Sequence, residues 1–202
     1  MNNQRNDINK IPLTRIGLIG LVSSLVISGI VAIVIFLVGD FGEIQQKTLA
    51  TTVSLAGFSI LSLPSLWHLE RTQHGLLSRV GLLSSLSSFI MIQLIVWVEP
   101  VSNDEFGKSM ITLYIIAFAT NHALLMMIIK SGHTLVLACK NTTICIIFIV
   151  GSAIIAFMWI GEPPDIILRL FGTLVVLDVL GTIVTPMLSR LLKNETYPSV
   201  KN

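Results

Sequence analysis

Long runs of apolar residues dominate the chain, and short polar stretches separate them. Each run is close to the ~20 residues that a helix rising about 1.5 Å per residue needs to cross a hydrocarbon core of about 30 Å. The runs are continuously apolar and lack the alternation of apolar and polar residues that marks barrel strands. The pattern therefore predicts six transmembrane helices, at 16–39, 49–69, 80–98, 110–129, 142–160 and 166–188.

The first run follows Arg5, Lys10 and Arg15, an arrangement that is also typical of a signal peptide. An apolar signal region usually has about 7 to 15 residues and ends at a small-x-small cleavage site. This run is of spanning length and ends in Val38-Gly39-Asp40. We therefore expect it to be retained as the first span.

Composition supports the same architecture. The chain has 202 residues, of which 53% are hydrophobic and 12% are charged, and its mean hydropathy is +0.84. This much apolar surface excludes a cytosolic enzyme and a nucleic-acid-binding protein, and two cysteines are too few for a secreted disulfide scaffold. We expect an all-α membrane protein, a single bundle of six helices at 16–188, with tails at 1–15 and 189–202.

Basic residues are unevenly divided between the two sides that six spans define. The N-terminus, the second and fourth loops and the C-terminus hold ten of the thirteen, namely Arg5, Lys10, Arg15, Arg71, Arg79, Lys130, Lys140, Arg190, Lys193 and Lys201. The opposite side holds Lys47, Lys108 and Arg169 together with most of the acidic residues. Because cytoplasmic loops carry an excess of Lys and Arg, both termini and both tails are predicted to be cytoplasmic, with the protein in the cell membrane.

Small residues recur at helical spacing on one face of the first and third spans. They are Gly20, Ser24 and Ser28 in the first span, and Gly81, Ser84, Ser85 and Ser88 in the third. Stripes of this kind allow helix backbones to approach closely in lipid. Helix packing is the expected role of both stripes.

Polar residues near the membrane midplane are the main candidates for chemistry. Asp178 lies about twelve residues, or about 18 Å, from the outer end of the sixth helix. A carboxylate at this depth costs at least about 2.5 to 3.5 kcal/mol unless it is protonated, paired or facing water. Thr182 and Thr185 continue its face, and Asn121 and His122 lie at nearly the same depth in the fourth span.

A contact between His122 and Asp178 would lower the cost of burying both and would allow them to relay a proton. Three interpretations stay open, because only depth relates the two residues. They are a structural hydrogen bond between helices, which is the most common case, a functional polar path, and no contact. The predicted path comprises Asp178, His122, Asn121, Thr182 and Thr185.

A second polar cluster follows the second span on the cytoplasmic side and comprises His68, Glu70, Arg71 and His74. At helical spacing Glu70 faces His74 and His68 lies near Arg71, an arrangement suited to a phosphate or a lipid headgroup. Solvated interface residues are the commoner meaning, since lipid sites usually gather four or more basic residues.

Catalytic, metal and cofactor motifs are absent from the sequence, including Walker loops, HExxH, Gly-x-Ser-x-Gly and Cys-x-x-Cys. Haem is disfavoured as well, because His68 and His122 differ in depth by about eight residues, or roughly 12 Å. The two axial ligands of one haem must face each other across the iron. We expect no catalytic residue, no metal and no cofactor.

The segment Leu177–Pro186, Leu-Asp-Val-Leu-Gly-Thr-Ile-Val-Thr-Pro, and the Glu70-Arg71 step resemble small six-span prokaryotic membrane proteins. The resemblance implies one compact bundle and implies no activity. Function therefore has to be inferred from the residues themselves.

We expect a polytopic, non-enzymatic membrane protein, either a membrane subunit or a small carrier-like bundle. The alternative is a proton- or ion-coupled transporter or channel whose path is lined by His122 and Asp178. A membrane enzyme ranks third, since the outer loops carry acids but no evident pair of nucleophile and base. The lipid bilayer is the expected partner, and other membrane subunits or a second copy are the candidate protein partners.

Overall fold

The structure is a computed structural model that describes residues 13–38, 42–71, 74–98, 104–161 and 163–195. Every regular element within these ranges is an α-helix. The helices are α1 (Leu13–Val38), α2 (Glu43–Glu70), α3 (Gly75–Trp97), α4 (Asp104–Met127), α5 (Thr134–Ile160) and α6 (Asp165–Glu195). All six are long and apolar enough to cross a membrane. The all-α class and the number of helices are thus confirmed, and both are compatible with a polytopic membrane protein.

All six helices begin before the spans that hydropathy marks, and the largest extensions are at the start of α5 and the end of α6. α5 begins at Thr134, and His133 caps it by accepting a hydrogen bond at Nδ1 from the backbone N–H of Leu135, at 3.3 Å. Lys140 lies inside this helix and donates from Nζ to the Ile129 carbonyl at 3.5 Å. α6 continues to Glu195, whereas 1–12 and 196–202 of the predicted tails lie outside the described residues.

Large apolar side chains point outward, and small or hydroxylated ones are buried. Ile19, Leu83 and Leu168 are each more than half exposed, whereas Ser62 and Ser78 are almost fully buried. This distribution is the reverse of that in a water-soluble protein. It is favourable in hydrocarbon, where leaving apolar side chains outside costs nothing and small interior residues allow close helix packing.

The chain divides into two compact units, and the division falls within α4. Unit 1 (Met1–Ala117) contains α1, α2, α3 and the first part of α4. Unit 2 (Phe118–Asn202) contains the rest of α4 with α5 and α6.

In unit 1, α2 packs against both α1 and α3. A Cβ at Gly17 of α1 would lie 2.9 Å from Leu66 Cδ1, and one at Gly20 would lie 3.6 Å from Ser59 Oγ. The residue numbers of α2 thus fall as the numbers of the α1 residues they contact rise, so the two helices are antiparallel. The small-residue stripe of α1 includes Ser24, which is fully buried.

In unit 2, a small apolar core joins α4 to α5. Ala119 and Met126 of α4 pack with Ile147 of α5. α5 and α6 also pack against each other, with the Phe157 and Phe171 rings edge to face and their centroids 5.3 Å apart. These contacts connect α5 to both α4 and α6.

Candidate functional site

A hydrogen bond within unit 2 joins the two helices that carry the predicted polar path. Nε2 of His122 on α4 lies 3.0 Å from Oγ1 of Thr182 on α6. The Phe118 ring packs edge to face with the imidazole, with the ring centroids 5.7 Å apart. Because Phe118 is apolar, it shields this side of the imidazole from polar partners.

Asp178 lies one helical turn before Thr182 on the same face of α6. An electrostatic interaction relates its carboxylate to His122, although no hydrogen bond joins these two described residues. His122 is bonded to Thr182 instead. The carboxylate therefore acts on the imidazole through space.

Several buried polar atoms of this region have no hydrogen-bond partner. They are His122 Nδ1, Asp178 Oδ1 and Thr185 Oγ1. Leaving such a group unsatisfied costs about 1–3 kcal/mol, and more when it is charged. Buried polar groups retained at this cost are typical of functional sites. We name His122, Asp178, Thr182 and Thr185 the α4–α6 polar cluster.

Asn121 is also buried, being 2% exposed. Successive residues of an α-helix point about 100° apart, so Asn121 lies on a face of α4 next to that of His122. The structure thus joins His122 to Thr182 across α4 and α6, with Asp178 and Thr185 one helical turn away on the same face of α6.

The position of α6 depends on a close approach to α5 that the sequence reasoning missed. A Cβ built at Gly181 would collide with the side chain of Thr143. Thr143 is buried, and its hydroxyl donates to the Cys139 carbonyl of its own helix at 2.9 Å. Gly181 sits directly before Thr182, so this crossing point sets where Thr182 meets His122. The glycine in Leu-Gly-Thr was the available signal.

The predicted cytoplasmic cluster gathers at the turn between α2 and α3 in a different way from that expected. α2 ends at Glu70, so the helical spacing between Glu70 and His74 does not continue. His74 precedes α3 in the left-handed conformation, with φ of 51°, and its ring meets that of the buried His68 at 5.5 Å between centroids. The Arg71 guanidinium stacks over the Trp67 ring at 3.9 Å.

Unit 1 has a polar link that the hydropathy pattern did not single out. Gln93 Nε2 of α3 donates to Ser54 Oγ of α2 at 2.6 Å, and Trp97 Nε1 donates to Thr51 Oγ1 at 2.9 Å. A glutamine inside an apolar span was the signal in the sequence. The pairs show that α2 and α3 run antiparallel.

The described ranges contain no group of three or more His, Cys, Asp or Glu residues that could hold a metal ion. The α4–α6 polar cluster instead offers one imidazole, one carboxylate and two hydroxyls, which suit proton binding. In comparisons with known proteins, no family model, no curated protein and no solved structure matches this chain.

Proposed function

We propose that this protein is a small six-span membrane carrier, with both termini in the cytoplasm, that passes protons along the α4–α6 polar cluster. The observation that carries the proposal is the bonded pair of His122 and Thr182 beside buried, unpartnered atoms of His122 and Asp178. Helix packing alone does not call for such groups, because each lowers stability.

His122 is the proton-binding group in this proposal, since imidazole is the side chain that gains and loses a proton near neutral pH. A threonine hydroxyl can both donate and accept. Thr182 therefore donates to Nε2 of the neutral ring and accepts from Nε2–H of the protonated one. The hydrogen bond survives both states, and the nearby Asp178 carboxylate stabilises the imidazolium.

Thr182 and Thr185 extend the path from Asp178 along α6. Thr185 is fully buried, and its hydroxyl has no hydrogen-bond partner. A hydroxyl in this condition is available to a water molecule or to a proton donor entering the helix interface. We assign to it the transfer of protons between the midplane pair and the inner end of α6.

The proposed orientation rests on the distribution of basic residues. Among the described ones, Arg71, Arg79, Lys130 and Arg190 lie at the helix ends assigned to the cytoplasm. On the opposite side Lys47 is paired with Glu43 at 2.5 Å, which reduces the positive charge presented there. Excess positive charge is retained in the cytoplasm during insertion.

Cysteine labelling from outside the cell tests this orientation after Cys139 and Cys145 are replaced by alanine. We expect Asp104→Cys to react with a membrane-impermeant maleimide and Gly132→Cys to react only after the cells are opened. Labelling of Gly132→Cys in intact cells would show that the proposed orientation is wrong. It would not bear on the α4–α6 polar cluster.

Proton movement is tested with the full chain in vesicles that contain a pH-sensitive dye, under an imposed membrane potential. We expect His122→Gln to slow acidification about 100-fold, the order of magnitude for loss of one positioned proton-transfer group. The matched control is His133→Asn in the exposed loop, where asparagine keeps the helix cap. Equal rates in vesicles with and without the wild-type protein would refute proton transport.

A subunit without transport activity is the second candidate. A cavity of about 390 Å³ lies between α5 and α6 and is lined by small residues such as Ala138, Thr142 and Gly181 among larger apolar ones. Small residues let a helix of a partner approach closely. This candidate would be favoured by the absence of proton flux together with a stable complex between this protein and a membrane partner, if Thr142→Trp disrupts that complex.

A further inference from the structure

Unit 1 contains a partly open cavity of about 170 Å³ between α2 and α3, which Tyr114 of α4 also lines. An apolar cavity of about 150 Å³ stays dry and admits one benzene molecule. The cavity in unit 1 is thus large enough for a single six-membered ring. It contains none of the residues of the α4–α6 polar cluster, so a ligand bound there is independent of the proposed proton path.

Aromatic side chains form much of the lining. Phe58 and Phe89 contact each other with ring centroids 5.4 Å apart and planes tilted by 32°, and Tyr114 supplies a third ring. Aromatic rings attract one another in offset and edge-to-face arrangements with centroids about 4.5–7 Å apart. A ligand that is itself aromatic is favoured over an aliphatic one of equal volume.

The serine hydroxyls of the lining can act as acceptors. Ser54 Oγ donates its proton to the Thr51 carbonyl at 2.9 Å, and Ser88 Oγ donates its proton to the Ser84 carbonyl at 2.9 Å. Each of these oxygens keeps a lone pair that can accept, although Ser54 Oγ already accepts one hydrogen bond from Gln93 Nε2. Gln93, which is bonded to Ser54, has a buried Oε1 without a partner. A complementary ligand therefore carries a hydrogen-bond donor.

We propose that this cavity is a binding site for a small monocyclic aromatic molecule with a hydroxyl or N–H donor, that is, a phenol-like compound. Filling the cavity restores the dispersion contacts that its lining lacks, and the donor satisfies an acceptor in an environment without water. Only a molecule that combines a ring with a hydrogen-bond donor provides both the dispersion contacts and the hydrogen bond.

Binding is measured on the purified full chain in detergent, by thermal unfolding and by saturation-transfer NMR with phenol, toluene and cyclohexanol as probes. We expect phenol to raise the unfolding midpoint and to bind about tenfold more tightly than toluene, the gain expected from one satisfied buried hydrogen bond. Cyclohexanol has the donor but not the aromatic ring, so we expect it to bind more weakly than phenol.

Two variants locate the site. Gly57 lines the cavity, and a Cβ there meets no atom within 4 Å, so Gly57→Leu adds volume at the wall without a backbone clash. We expect it to abolish phenol binding. Gly172→Leu is the matched control, because its Cβ position is equally open but it does not line the cavity.

The hydrogen bond is tested separately with Ser88→Ala, which is expected to remove the preference for phenol over toluene while toluene still binds. Equal responses to all three probes, or an undiminished phenol response in Gly57→Leu, would show that the probes act on the detergent or on the lipid-facing surface. Either result would overturn the proposal.

Discussion

The buried serines of unit 1 and the α4–α6 polar cluster of unit 2 meet their hydrogen-bonding needs in different ways. In unit 1 the buried serines of α2 and α3 bond to their own helices, as Ser59 does to the Leu55 carbonyl at 2.8 Å and Ser85 to the Gly81 carbonyl at 2.7 Å. In unit 2 the polar groups of α4 and α6 meet across the helices through His122 and Thr182, and several of their atoms remain unpartnered.

The difference reflects what each side chain can do alone. A serine hydroxyl reaches the carbonyl one turn earlier and is satisfied without any neighbour. Aspartate and histidine in a helix have no such option, so they depend on a partner, a proton or water. The contrast separates polar residues that allow close packing from polar residues whose retention calls for a function. Ser28 and Gln93 are exceptions in unit 1, each with a buried unpartnered atom.

Among the substitutions that test this contrast, those at Asp178 should have the largest effect on membrane insertion and stability. We expect Asp178→Asn to preserve the fold, since the amide is neutral and still forms hydrogen bonds. Asp178→Lys should impair insertion, because a lysine at the helix centre costs about 2.5–3.5 kcal/mol. Membrane expression and detergent stability report the outcome. Equal values for both variants would show that position 178 faces a water-filled space.

The next largest effect is at the crossing of α5 and α6. We expect Gly181→Ala to lower stability by about 1–3 kcal/mol, the usual cost of overpacking, because the new methyl collides with Thr143. Thermal unfolding in detergent measures this. Gly172→Ala on the same helix is the control and should be neutral or stabilising, since its Cβ position is open. A loss of similar size in the control would mean that α6 tolerates no substitution of glycine.

A smaller effect is expected from the bond that joins α4 to α6. A double-mutant cycle of His122→Phe and Thr182→Val should give a coupling free energy of about 1 kcal/mol. A coupling above ~2 kcal/mol is not expected, because hydrogen bonds between membrane helices are weaker than that. The coupling should persist at pH 5 and at pH 8, because Thr182 serves both protonation states of His122. A coupling present at only one pH would assign a fixed donor and acceptor to this bond.

The smallest effect should come from unit 1. We expect Ser84→Ala to change stability by no more than about 0.5 kcal/mol, since its hydroxyl bonds to the Val80 and Gly81 carbonyls of its own helix, whose backbone hydrogen bonds remain. Chemical unfolding in mixed micelles is the measurement. A loss comparable with that in the cycle at His122 would erase the distinction between the two units.

Hydropathy was enough to predict six helices, because crossing hydrocarbon demands long apolar runs whatever the packing. Helical spacing was also enough to predict that Asp178, Thr182 and Thr185 share one face of α6. The partner of His122 could not be predicted, since depth fixes the height of a residue but not the rotation of its helix. The second span was predicted to end within one residue of α2, but the helical spacing assumed from Glu70 to His74 was wrong, because nothing in the local pattern marks His74 as left-handed.

Self-satisfied serines have a consequence for the order of membrane insertion. α2 and α3 can enter lipid one at a time, because their serines are already bonded before the helices meet. α6 cannot do so at equal cost, since Asp178 finds no partner within its own helix. Translation proceeds from the N-terminus, so His122 is already in the membrane when Asp178 leaves the ribosome. The position of α4 before α6 in the chain thus places the imidazole in the membrane before the carboxylate with which it interacts.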